Sequence, residues 1–257
     1  MKSKKTEKTS WGEVADWYDE LVEGKDTYQE QVILPNIMRI VEPQRGMTIL
    51  DLACGQGFFS RAFAKADADV IGVDISKELI EKAESQNEVA VEYHVAQSHT
   101  LEFLDNASVD VVTVVLALQN ISLLKETIEE VRRILKQGGR LVLVINHPAF
   151  RIPKQSSWQW DDKNHSQYRR IDSYMSEIEE KIDMTPGEKA KDKKKFTYSY
   201  HRPLQTYVKA LSKAGLSIIR LEEWISHKKS AAGPRQKEED RIRKEIPLFM
   251  CVEARVF

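Results

Sequence analysis

Ile49-Leu50-Asp51-Leu52-Ala53-Cys54-Gly55-Gln56-Gly57 is the stretch that decides how this chain folds. Thr48–Leu52 is an apolar run that reads as a buried strand, and it meets two closely spaced glycines. A helical stretch, Phe58–Lys65, follows at once. Glycine at such a junction lets the backbone turn sharply and approach a ligand where a Cβ would clash. The next apolar run, Asp69–Val73, reads as a second strand and leads into Asp74. Ligands of open α/β sheets sit beyond the carboxyl ends of the strands. Asp51, Gly55, Gly57 and Asp74 are therefore expected to border one crevice.

The alternation continues outward in both directions. Lys77–Ser85 reads as a helix with Ser76 as its N-cap. Val89–Val95 and the β-branched Val109–Leu116 read as strands three and four. Lys125–Leu135 reads as a helix stopped by Gly138-Gly139, and Arg140–Ile145 as strand five. Apolar strands separated by helices imply a mostly parallel sheet covered on both faces. Upstream, Trp11–Val41 carries apolar residues at three- and four-residue steps, a helical pattern that ends at Pro43 and Gly46. Downstream, Pro148 to Lys195 breaks the rhythm. It is polar, with Trp158, Trp160, Tyr168 and Tyr174 interleaved, and ends in the lysine-rich run 189–195. It reads as an insertion, part helix and part mobile loop. Phe196–Tyr200 then reads as a short strand, and Pro203–Ala214 as a helix with proline in its first turn, closed by Gly215. Leu216–Leu221 and Leu248–Val256 read as an antiparallel pair joined by a long charged loop without a helix pattern. The expected layout is a helical lid at 1–45, a ligand-binding α/β core at 46–147, an inserted lid at 148–195 and the rest of the core at 196–257.

Bulk properties narrow the class. The chain has 257 residues, 41% hydrophobic and 31% charged, so a normal core can form. A formal net charge of -1 gives no general attraction to nucleic acid or anionic membrane. Two cysteines, Cys54 and Cys251, suggest neither a zinc site nor a disulfide framework. Met1–Ser10 lacks the apolar segment of a signal peptide, and the longest apolar run, Val111–Leu118, is too short to span a bilayer. A cytoplasmic protein is expected.

Two nucleoside cofactors compete for the glycine loop. A dinucleotide wants a third glycine and a helix N-terminus that welcomes phosphate. Here the third position is Ser60, and Asp51 puts a negative charge beside the loop. That charge opposes a pyrophosphate and suits the ammonium of a methionine moiety. Asp74 is placed to accept hydrogen bonds from ribose hydroxyls.

These residues resemble the class I S-adenosylmethionine-dependent methyltransferases, especially the type 11 branch. Ile49–Ser60 resembles the family's first motif, with Ala53 where glycine is usual, and Val70–Ser76 its second. Leu101–Asp105 with Ser108–Asp110, and Val131–Leu141, resemble the segments before strands four and five. The resemblance implies a Rossmann-like α/β fold. Its seven-stranded, mostly parallel sheet would have one antiparallel strand, helices on both faces and an inserted lid. It implies S-adenosyl-L-methionine as cofactor. Asp51, Gly55 and Gly57 would hold the methionine end, Asp74 and Ile75 the ribose and adenine. Gln97 stands where the family often has an Asp contacting the adenine amino group, and its side-chain oxygen can accept the same bond. Leu116 would lie near the sulfonium. Tyr18 resembles the aromatic of an N-terminal lid, or else is a helix-packing tyrosine.

Methyl transfer from a sulfonium is an in-line displacement, so the protein must align the nucleophile, exclude water and take a proton where one is carried. His147, after strand five, and His201, after Phe196–Tyr200, are the candidate bases. The alternative for each is a loop histidine satisfied by the backbone. Trp158, Trp160 and Tyr168 form either an aromatic wall over the acceptor or the insertion's own core. Arg151 binds an acceptor carboxylate or lies on the surface. The expected acceptor is a small molecule with an oxygen, nitrogen or carbon nucleophile. An RNA or protein methyltransferase and a non-catalytic cofactor-binding protein are the alternatives. Fold alone does not separate them.

Overall fold

The computed structural model describes residues 26–86, 88–185 and 194–257. A π-helical turn at Gln29–Ile33 runs into α1 (Leu34–Val41). Then come β1 (Thr48–Leu52), α2 (Phe58–Ala64), β2 (Asp69–Asp74), α3 (Lys77–Ser85), β3 (Val91–Val95) and β4 (Val109–Val115). They are followed by a 3-10 turn (Leu118–Asn120), α4 (Leu124–Ile134) and β5 (Leu135–Asn146). The second half contains β6 (Ser156–Asp161), β7 (Ser166–Ile171), β8 (Ile178–Asp183), β9 (Phe196–His201), α5 (Leu204–Lys213), β10 (Leu216–Trp224), α6 (Gln236–Glu245) and β11 (Phe249–Val256).

Seven strands form the main sheet in the order β10-β11-β5-β4-β1-β2-β3. β1 pairs parallel with β2 and β4, and β11 runs antiparallel to both β5 and β10. The expected doubly covered, mostly parallel sheet with one reversed strand is what forms. Side chains of a strand alternate between faces, and here both faces are apolar. Leu50 and Val112 pack with Ile128 and Val131 of α4 and Leu211 of α5. Their neighbours Ile49 and Val111 pack on the other face with Ile37 of α1 and Phe63 of α2. Each such fully buried side chain stabilises the fold by about 1.5–3 kcal/mol, which fixes the strand register. That register sets the site, because it aligns the carboxyl ends of β1, β2, β3 and β4 along one edge.

Four local readings are corrected. Residues 148–195 contain no helix among the described positions. β6 and β7 form an antiparallel hairpin, and β8 pairs antiparallel with β9. Ser156–Asp161 alternates with period two, and Asp161 closes the hairpin by accepting the Lys163 and Asn164 N–H groups. The aromatics of this hairpin make no single wall. Trp158 and Trp160 share one face, whereas Tyr168 opposes Gln159 on the other. α6 occupies the stretch expected to be loop. Ile242 is its one buried residue, so it lacks an apolar stripe. Acids in its first turn, bases in its last and the Glu238–Arg241 pair at 2.8 Å support it instead. Finally, α4 ends at Ile134 without help from Gly138-Gly139. Those glycines lie inside β5, at a register shift between the pairs Val109–Leu135 and Val111–Arg140.

Candidate active site

The glycine loop leaves β1 through left-handed backbone at Ala53 (φ 60°), Gly55 (φ 57°) and Gly57 (φ 80°). Ala53 takes this conformation despite its Cβ, at a cost of about 1–2 kcal/mol. At the end of the adjacent β4, Leu116 is also left-handed (φ 52°). Strained backbone of this kind collects at ligand sites, and here two such residues flank one edge of the sheet. Gly57 is required sterically as well. A Cβ there would stand 2.1 Å from the Tyr93 hydroxyl. Tyr93, on β3, also lies over Gly72, its direct partner on β2. The sequence reading passed over Tyr93. A glycine facing an aromatic across neighbouring strands is the signal that could have found it.

The two acids are joined to this loop. Asp74 accepts the Gly55 N–H and the Ser76 N–H, each at 2.9 Å. Loop and acid thus share one crevice. Asp51 is only 1% exposed and accepts the hydroxyls of Ser60 (2.6 Å) and Thr113 (3.0 Å). Burial pushes its carboxyl up to about 6, despite the two hydroxyls. Burial also raises Asp74. In the loop, Gln56 is buried, and neither end of its side-chain amide has a hydrogen-bond partner among the described residues. Each carboxylate oxygen has lone pairs for more than one donor. Two desolvated acids and an unpaired amide fit a nucleoside with hydroxyls and an ammonium, and misfit a pyrophosphate.

The remaining expected contacts lie along the same edge. Ile75 follows Asp74, and its backbone helps hold that carboxylate. Gln97 is half-buried in the loop after β3. This loop is tied to β2 by the Ala96 N–H on the Asp74 carbonyl at 2.9 Å. Leu116 donates its N–H to the Val144 carbonyl at 2.7 Å, linking β4 to β5. Tyr18 lies outside the described residues. Cys54 is buried, and burial raises its thiol well above the usual range, so it packs rather than reacts. Among the described residues no cluster could hold a metal ion, and no helix is long and apolar enough to cross a membrane.

The two histidines differ. His147 is buried, accepts the Ala149 N–H at Nδ1 (3.2 Å) and bonds Glu223 through Nε2 (2.6 Å). Both ring nitrogens are engaged, and burial lowers its pKa. His201, at the end of β9, is buried and bonds the Tyr174 carbonyl through Nε2 at 2.7 Å. A carbonyl only accepts, so Nε2 carries a proton, and in the neutral ring Nδ1 has the lone pair. Next to it, Arg202 is 6% exposed and donates to the carbonyls of Leu118 (3.3 Å), Ile121 (2.7 Å) and Ser122 (3.0 Å). It clasps the loop after β4, helped by Asn120 on the Tyr198 carbonyl at 2.8 Å. No local pattern marks Arg202 in the sequence, since its partners lie about eighty residues away.

Comparison with known proteins agrees with this geometry. Residues 50–143 match the family described as "Methyltransferase domain". Over 114 residues the chain is 34% identical to the ubiquinone/menaquinone biosynthesis C-methyltransferase of Rubrivivax gelatinosus, covering 44% of this chain and 45% of that protein. It is 32% identical over 149 residues to the demethylmenaquinone methyltransferase of Thermotoga maritima, covering 56% and 62% respectively. The chain spans about half the length of the curated relatives it matches. A crystal structure of an S-adenosylmethionine-dependent methyltransferase from Mesorhizobium loti aligns with a TM-score of 0.67 at 25% identity, over 86% of this chain and 96% of that one.

Proposed function

We infer that residues 50–143, which match the methyltransferase domain family, bind and use S-adenosyl-L-methionine as the class I enzymes do. On that premise we propose that it transfers the methyl of S-adenosyl-L-methionine to an oxygen, nitrogen or carbon nucleophile of a small molecule. The observation that supports this reading is the bond from the Gly55 N–H to Asp74, which joins the glycine loop to the acid that ends β2, near buried Asp51. Similarity to methyltransferases named for quinones supports a small organic acceptor.

The bound cofactor supplies a methyl group activated on a sulfonium. The chain's residues do the rest. In this reading Asp51 draws the ammonium end, directly or through water, toward the loop at Gly55 and Gly57. Asp74 accepts from the ribose hydroxyls, Gln97 from the adenine amino group, and Ile75 covers the base. Leu116 lines the reacting end. Arg202 acts as a positioning residue, holding the loop that follows Leu116. These residues would hold S-adenosyl-L-methionine, whose sulfonium would supply the methyl and keep the bonding electron pair as a neutral sulfide. A nucleophile that carries a proton must also release it. His201 Nδ1 can accept that proton. His147, with both nitrogens engaged, is better suited to orienting the turn after β5.

Isothermal titration with S-adenosylhomocysteine and with NAD tests the premise. Binding of the former and none of the latter is expected. Preference for NAD, or no binding of either, would overturn it.

A further inference from the structure

Past the end of β5 the chain turns back through His147–Arg151, closed by the Arg151 N–H on the His147 carbonyl at 2.8 Å. This turn lies next to the reacting end, because Leu116 is bonded to Val144 in the same strand. Arg151 extends over Phe249, with its guanidinium carbon 5.7 Å from the ring centroid. Tyr28 meets the same ring edge-on at 5.6 Å. Arg169 lies close by. It donates to the Phe150 carbonyl and the Ser156 hydroxyl, both at 2.7 Å, and stacks on Trp158.

The charge balance here is one-sided. Among the described residues neither guanidinium has a carboxylate partner, and Arg151 makes no side-chain hydrogen bond. Arg151 is open to solvent, yet burial lowers its pKa. Arg169 is lowered first by burial and then by the charge of Arg151. Among the described residues no carboxylate pairs with either of these neighbouring cations, and an anion bound there would relieve their mutual repulsion.

We propose that Arg151 anchors a carboxylate of the methyl acceptor, with Arg169 reinforcing it, so that the acceptor is a small organic acid. A guanidinium binds a carboxylate through two parallel N–H donors, and half-buried Tyr28, which packs on the buried Phe249 ring, offers apolar surface for the body of such an acid. This inference rests on the methyltransferase reading above, since it assigns the acceptor half of the same site.

The test uses protein saturated with S-adenosylhomocysteine. Benzoate, indole-3-acetate and decanoate are each titrated calorimetrically against their own primary amides. At least one acid should bind about ten-fold or more tightly than its amide, as expected for a hydrogen bond to a charged group. In Arg151→Gln that preference should fall below about two-fold with S-adenosylhomocysteine affinity unchanged, while Arg151→Lys should keep part of it. No acid outdoing its amide, or the same preference in Arg151→Gln, would overturn the assignment. Wild-type protein that fails to bind S-adenosylhomocysteine would instead remove the methyltransferase reading on which it stands.

Discussion

Asp51 is a carboxylate that the free protein holds at a penalty, and the penalty can be measured. Its folded-state pKa is about 6 against a model-peptide 3.8, a gap worth about 3 kcal/mol. The folded carboxyl therefore keeps its proton more tightly than the unfolded one. Its contribution to stability is most favourable below pH 3.8 and is lost as the pH rises through about 6. Of the whole, about 1.4 kcal/mol disappears between pH 5 and pH 8. Asp51→Asn removes this titration. Asparagine also loses part of the bonding to Ser60 and Thr113, but that loss is the same at every pH. Asp74 is present in both proteins, and its charge pushes on Asp51 less than burial does. The stability of the variant relative to wild type should therefore improve by about 1.4 kcal/mol from pH 5 to pH 8, a relative gain of about 3–6 °C in Tm for a domain of this size. Thermal unfolding of the cofactor-free proteins, followed by circular dichroism at four pH values, measures it. The same linkage makes S-adenosylhomocysteine bind wild type more tightly as the pH rises to about 6 and no more tightly beyond. A difference between the two proteins that stays constant with pH would refute the claim that burial dominates at Asp51.

Asp74→Ala should weaken S-adenosylhomocysteine binding by about 1.5–3 kcal/mol in calorimetry, and unchanged affinity would mean that Asp74 does not face the ribose. Gly57→Ala should destabilise the fold in chemical denaturation by more than the about 1–2 kcal/mol of left-handed backbone alone, because Tyr93 blocks the new methyl. A loss under about 1 kcal/mol, the lower bound of that backbone cost, would show that the loop relaxes. Arg202→Met should cost about 2–4 kcal/mol by stranding the carbonyls of Leu118, Ile121 and Ser122, and a neutral result would show that water replaces the guanidinium. Once an acceptor is in hand, His201→Ala should slow turnover by about 10²–10⁴-fold with cofactor affinity retained, whereas equal rates across pH would remove it as base.

How much of the site was readable follows from how local each signal is. The strand–loop–helix around Asp51 and Gly57 and the Ser76 cap bonded to the Leu79 N–H at 3.2 Å are short-range patterns, and each formed close to where it was expected. α6 was missed for a physical reason: its stability comes from charge pairs and termini, which leave no apolar period to read. The hairpin of β6 and β7 was missed because its alternation is polar and aromatic rather than clearly apolar. Both histidines lie at strand ends, but their neighbours could not be foreseen. Glu223 is 76 residues from His147, and Tyr174 is 27 from His201.

The amino-acid order alone determined the α/β layering, the sharp turn after the first strand and the acids that border it, because these depend on side-chain periodicity and on residues a few positions apart. Only the folded chain decided which polar groups are left without partners. Among the described residues the Gln56 amide is buried and unpaired, Asp51 is desolvated, and neither Arg151 nor its neighbour Arg169 has a carboxylate partner. Each of these depends on strand order, which brings distant segments together and excludes water, and no local stretch of sequence encodes that by itself.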